Sequence, residues 1–182
     1  MSVCQRIILA AILVAAVPGV TSAATINFAL NGTATASNTY LPAFAPEMAI
    51  DDLAGTTWNA GNYPEQWIEI DLGASLPISE IQGLVAQLPN GNTVHNIYLD
   101  GTLAFTWAQF TSDFDLLTHA FASPLSAQVV RVTTTSSPSW VGWREIRVLG
   151  EAPAAVTEPA TLVLLGAGLA GIGLARRGRR RR

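Results

Sequence analysis

The chain of 182 residues has one cysteine, Cys4, and no lysine. Cys4 precedes an apolar run near the N-terminus instead of following it, so it is not placed as a lipoprotein cysteine. A chain trimmed after that run would hold no thiol and no disulfide, and core packing, with or without a metal, would have to stabilise it. All ten basic residues are arginine. One lies at the start and six at the end, which leaves Arg131, Arg144 and Arg147 between residues 25 and 150. Eleven acids share that region, for a net charge of −8, although the whole chain carries only −3. Such a field repels phosphate backbones and disfavours nucleic acid as a partner. Long amphipathic helical patterns and internal repeats are lacking in the middle of the chain, as are G-x-S-x-G, H-E-x-x-H and a glycine-rich phosphate loop. His95 and His119 are the only histidines, and neither belongs to a nucleophile or metal motif. No catalytic residue is expected.

What is present begins with two apolar ends. Met1 to Arg6 is a short basic segment, Ile7 to Val17 an apolar one, and Pro18-Gly19 breaks it before the small residues Thr21-Ser22-Ala23. This order predicts a signal peptide over residues 1–23, to be removed by signal peptidase. At the other end, Glu158-Pro159 precedes a 16-residue uncharged stretch, Ala160 to Ala175, and an arginine block, Arg176 to Arg182, interrupted by Gly178. As a helix the stretch would reach about 24 Å, short of a roughly 30 Å hydrocarbon core. It suits a transient inner-membrane anchor, with the arginines in the cytoplasm and all that precedes Ala160 outside. The tail resembles the PEP-CTERM sorting signal of bacterial surface proteins, built from a Pro-Glu-Pro box, an apolar helix and an arginine cluster. Glu158 and Pro159 match the box, with Thr157 standing at its first proline. The resemblance implies processing by an exosortase near Glu158-Pro159, and release to the cell surface or an exopolysaccharide matrix. Residues 151–157 (EAPAAVT) read as a linker.

Residues 25–150 read as short strands. Gln66 to Leu72 alternates, with Trp67, Glu69 and Asp71 on one face and Ile68, Ile70 and Leu72 on the other. Val129 to Thr133 and Glu145 to Leu149 alternate likewise. Period two predicts strands with one face in a core. Gly73, Pro77, Pro89 to Asn92 and Ser136 to Ser139 read as breaks between strands. Asp100-Gly101, between two apolar-rich segments, predicts a hairpin because both residues tolerate positive φ. The reading is all-β, a sandwich or jelly roll.

Five segments in order then resemble discoidin domains, also called coagulation-factor type C domains, which are related to galactose-binding carbohydrate modules. They are Asn27-Phe28-Ala29 with Ala34-Thr35-Ala36-Ser37, Ala49 to Trp58 (AIDDLAGTTW), Trp67 to Gly73 (WIEIDLG), Val130-Arg131-Val132, and Trp143 to Gly150 (WREIRVLG). Asp52 replaces the usual glycine of the second, and aspartate tolerates the left-handed backbone that such a turn needs. The resemblance implies an eight-stranded jelly roll with ligand loops at one end. It also implies a structural calcium held by Asp51, Thr56 and Glu145, an oxygen donor set of the kind calcium takes. The alternative for Asp51 and Thr56 is a local turn cap. Trp58 and Trp67 are read as core. Candidates for sugar contact are Tyr40, Phe44, Asn59, Asn62, Tyr63, Trp107 and Trp140, because rings stack on sugar faces and polar groups read hydroxyls. The expected function is a non-catalytic carbohydrate-binding module for extracellular polysaccharide or surface glycan. The alternative is a structural matrix or adhesion protein without specific glycan affinity.

Overall fold

The computed structural model describes residues 24–152; the predicted signal peptide and the sorting tail lie outside the described residues. Eight antiparallel strands build a sandwich: β1 (Thr25–Asn27), β2 (Thr33–Ala36), β3 (Trp58–Asn59), β4 (Gln66–Val85), β5 (Gly91–Leu99), β6 (Thr102–Thr111), β7 (Leu116–Ser136) and β8 (Gly142–Glu151). The hydrogen-bonded order is β1-β8-β4-β7-β5-β6, with β2 on β4 and β3 on β8.

Two long strands bend through both layers. The first part of β4, Gln66 to Asp71, pairs with Thr134 to Val129 of β7 and with β2. Its second part, Ile78 to Val85, pairs with β8 on one side and with Ala120 to Leu116 of β7 on the other. The register slips between Asp71 and Leu76, where Gly73 takes φ +79°. Gly73 and Pro77 therefore do not end a strand, as their sequence suggests; they mark where β4 bends from one sheet to the other. Bulges and glycine at such a corner let one strand serve two layers.

The core follows the alternation. Ile68, Ile70, Ile78, Ile81, Val130, Val132, Ile146 and Val148 are almost fully buried between the layers, with Trp58 and Trp143 the largest side chains among them. Trp67 departs from its predicted place. It is half-buried on the outer face, where the Arg131 guanidinium lies 4.3 Å from its ring centroid. It shares that face with Glu69, as the period of two requires. Asp100 and Gly101 take φ of 47° and 79° and join Leu99 to Thr102, which is the expected hairpin.

The fold has two poles. Strand β8 starts at Gly142, beside Asn59, and ends at Glu151, beside Thr25. Its ten residues span about 33 Å. Chain entry and exit meet at one pole, where the Ala152 N–H donates to the Ala24 carbonyl at 2.9 Å. The long connections β2–β3, β3–β4, β4–β5, β6–β7 and β7–β8 gather at the other.

Candidate functional site: a cleft and an oxygen-lined loop at one pole

A cleft of about 420 Å³ opens among the loops of this second pole. Of the residues singled out by sequence, Phe44, Asn59, Tyr63 and Trp140 line it. Tyr63 is 60% and Trp140 41% exposed, so both present ring surface to solvent. Tyr40 stands behind them, its centroid 5.2 Å from Trp140 and 5.9 Å from Phe44. It supports the aromatic wall without lining the cleft. The floor of this corner is an Asn-x-Gly turn. Asn59 Oδ1 accepts from the Gly61 N–H at 2.7 Å, and Gly61 sits at φ +69°. A side chain there would meet Tyr40 Cδ2 at 2.9 Å, so only glycine brings the two loops together. Asn62 is exposed, does not line the cleft, and uses its carbonyl to bind the Val141 N–H at 3.0 Å.

Trp107 is corrected. It is only 7% exposed, its ring meets Phe105 edge-on at 5.2 Å, and its Nε1 donates to the Thr118 carbonyl at 3.3 Å. It faces inward from β6, opposite His95, and closes the side of the core. The two histidines are packing residues in different places. His95 Nδ1 is bonded to the Thr134 hydroxyl at 2.9 Å and its ring lies 4.7 Å from Trp143. His119 stacks on Phe105 at 3.8 Å. Burial drops the His95 pKa to about 4, so the ring is neutral.

Five polar residues that the sequence does not single out as contacts line the cleft: Thr57, Gln87, Asp113, Ser139 and Arg144. Gln87 is held from behind. Its amide donates to the Thr111 carbonyl at 3.2 Å, and its Oε1 accepts from the Thr111 hydroxyl at 2.9 Å. Arg144 makes a two-pronged bond to Asp113, Nε to Oδ1 at 3.0 Å and Nη2 to Oδ2 at 2.8 Å. Its plane covers the Phe114 ring at 3.6 Å. The guanidinium holds the Asp113 carboxyl below its usual range. The only signal for Arg144 is its position in the closing strand, and nothing in sequence brings Asp113 beside it.

Of the candidate metal residues, Asp51 and Thr56 bond each other, and Glu145 touches the same turn through the Asp52 N–H. Asp51 Oδ1 accepts from the Leu53 N–H at 3.0 Å and from the Thr56 hydroxyl at 2.9 Å. The Met48 and Leu53 carbonyls lie 3.3 and 2.7 Å from the same hydroxyl. One hydroxyl proton faces three oxygens, which leaves acceptor capacity unused. Glu145, on β8, is buried; its Oε2 accepts from the Asp52 N–H at 3.0 Å, and its Oε1 has no partner. Burial pushes the Glu145 carboxyl up to about 7, with Asp51 and Asp52 adding to the rise. Asp52 takes φ 61°, so the turn survives the replacement of glycine. Among the described residues no three His, Cys, Asp or Glu side chains cluster around a metal-sized space. The oxygens here are mainly carbonyl and hydroxyl, a mixture that calcium accepts and that softer metals do not. The bonds that Asp51 and Thr56 make are those of the turn cap described above.

The architecture is an all-antiparallel β-sandwich with a cleft among the loops of one pole. The F5/8 type C domain matches residues 33–146, and the chain belongs to this family. Residues 155–182 match the PEP-CTERM protein-sorting motif. No curated protein sequence matches the chain. Similar solved structures include the family 32 CBM from C. perfringens NanJ in complex with galactose (19% identity, TM-score 0.62, 70% of this chain and 100% of that one). Another is chitosan-binding module 1 from a chitosanase/glucanase of Paenibacillus sp. IK-5 (27% identity, TM-score 0.55, 69% and 99%). A third is the CBM32 of AlyQ in complex with 4,5-unsaturated mannuronic acid (24% identity, TM-score 0.52, 64% and 92%). The PEP-CTERM motif implies an exported protein whose membrane-anchored precursor is sorted to the surface.

Proposed function

We propose that the chain is a non-catalytic carbohydrate-binding module that takes a glycan in the loop-pole cleft. The carrying observation is the pairing of exposed rings, Tyr63 and Trp140, with the half-buried polar side chains of Thr57 and Asn59 around one opening, while Gln87 and Arg144 behind them are held by Thr111 and Asp113. Rings cover the apolar face of a sugar and fixed polar groups read its hydroxyls. The galactose- and chitosan-binding neighbours support the ligand class. The tether supports the arrangement, because the chain leaves the domain at the pole away from the cleft. A precursor held in the inner membrane by 160–175 would thus present an open cleft, and exosortase cleavage near Glu158-Pro159 would release it to the surface or matrix. Calcium in the Asp51–Thr56–Glu145 loop is part of the proposal. It would use the unpaired Glu145 oxygen and brace the loop that Arg144 touches through the Ala54 carbonyl at 3.3 Å.

The test is a glycan and polysaccharide array with the full chain, run with calcium and with chelator. Saturable binding that Trp140→Ala weakens at least tenfold is expected. Absence of binding by folded protein would reject the module reading. A structural matrix role has its own support in β6, which pairs on one side only, carries no charge and exposes Leu103 and Phe110. Self-association through that edge would favour it.

A further inference from the structure

Every cation of the domain is already occupied. Arg131 pairs with Glu69 at 2.7 Å, Arg144 with Asp113 at 2.8 Å, and Arg147 with Asp52 at 2.7 Å. There is no lysine to add another. The remaining eight acids of residues 25–150 have no arginine partner within salt-bridge distance among the described residues. Inside the cleft the balance is the same. Arg144 is its one cation, and both oxygens of Asp113 hold it while Phe114 covers one face. A uronate or sulfate entering the cleft would find no free guanidinium and would enter the field of a domain with net charge −8. An ammonium group would be drawn by that same field.

From this pairing we infer that the cleft is selective by charge: it takes glycans without acidic groups, and an amine-bearing glycan binds more tightly than its N-acetylated counterpart. This rests on the glycan-binding reading above and narrows it. The AlyQ module, crystallised with an unsaturated mannuronic acid, shows that the fold itself does not forbid an anionic sugar. The exclusion comes from this chain's own Asp113–Arg144 pair and its unpaired acids.

The experiment uses the full chain in a detergent without a sugar headgroup. Binding of a glucosamine oligomer, its N-acetylated form, a galactoside and an oligouronate is measured at roughly 0.01 M and roughly 1 M salt, where screening lengths are about 30 and 3 Å. The expected result is a several-fold preference for the amine over its N-acetylated form at low salt, lost at high salt, with no uronate binding at either. Asp113→Asn, which frees Arg144, is expected to raise uronate affinity tenfold or more, with folding checked by melting. Uronate binding as tight as that of the neutral sugars would overturn the inference, as would an amine preference absent at low salt. So would a folded Asp113→Asn variant that still ignores uronate. Failure of all four glycans with folded wild-type protein would instead remove the glycan-binding reading on which the inference stands.

Discussion

The two halves of the loop pole are built from opposite materials. The cleft half presents rings, with Trp140 and Tyr63 substantially exposed and the side chain of Gln87 held from behind. The other half, from Met48 to Thr56, presents oxygens turned inward on one another. Exposed ring surface costs little to keep when it rests on other rings, and it gains when a sugar covers it. Inward oxygens gain only from a proton or a cation. The first half is thus suited to recognition and the second to holding shape. Arg144 joins them, bonding Asp113 on the cleft side and the Ala54 carbonyl on the other.

The largest expected effect lies beneath both halves and bounds the conditions for comparing them. His95 is neutral in the fold, with its pKa depressed to about 4 by burial, while the unfolded chain takes up a proton near 6.5. Between those values the unfolded state binds more protons, so stability is lost as the pH drops from about 6.5 to about 4, by roughly 3 kcal/mol in all. Urea unfolding of wild type and His95→Gln at pH 7 and pH 4 should show the acid loss smaller in the variant by about that amount. Equal losses would mean His95 does not titrate this way.

Next is the oxygen half. Asp51→Ala removes a carboxylate that accepts two hydrogen bonds, and should cost about 2 kcal/mol in thermal or denaturant unfolding. Glycan affinity should change only through Arg144, by a few-fold. A variant that lost binding outright while keeping its stability would dissolve the division between the halves.

Smaller in energy is Trp140→Ala. It should lower glycan affinity at least tenfold, about 1.4 kcal/mol, and leave unfolding within about 0.5 kcal/mol of wild type. Calorimetric titration and melting together decide it, and a reversed pattern would make Trp140 a packing residue. Last is the tail. Glu158→Ala or Pro159→Ala should leave stability untouched and hold uncleaved chain in the membrane fraction, as seen on immunoblots. Normal maturation of both would count against exosortase processing at that box.

Much of this was legible from residue order. Ile68, Ile70 and Leu72 alternate with polar neighbours, and they are buried as that alternation requires. Asp100-Gly101 turns where two positive φ values are needed. Asp51 and Thr56 bond each other within one turn, and Glu145 reaches that turn only through the Asp52 N–H, 93 positions away in the chain. The cleft was legible only in part. Trp107 and Trp140 look alike in sequence, each an aromatic beside small polar residues. One faces inward against Phe105 and the other stands on an open loop. Gln87 and Asp113 gave no local sign, because each owes its place to a strand or arginine distant in the chain.

Sequence alone determined the all-β class, the hairpin, the absence of lysine, the acidic charge and the sorting tail. These depend on local period, turn stereochemistry and composition, which need no knowledge of partners. Only the tertiary structure decided which aromatics face solvent, that Gly73 bends a strand instead of ending it, and that all three domain arginines are paired. Period two assigns a side chain to a face, but whether a face is covered, and by what charge, depends on strands that meet only after folding.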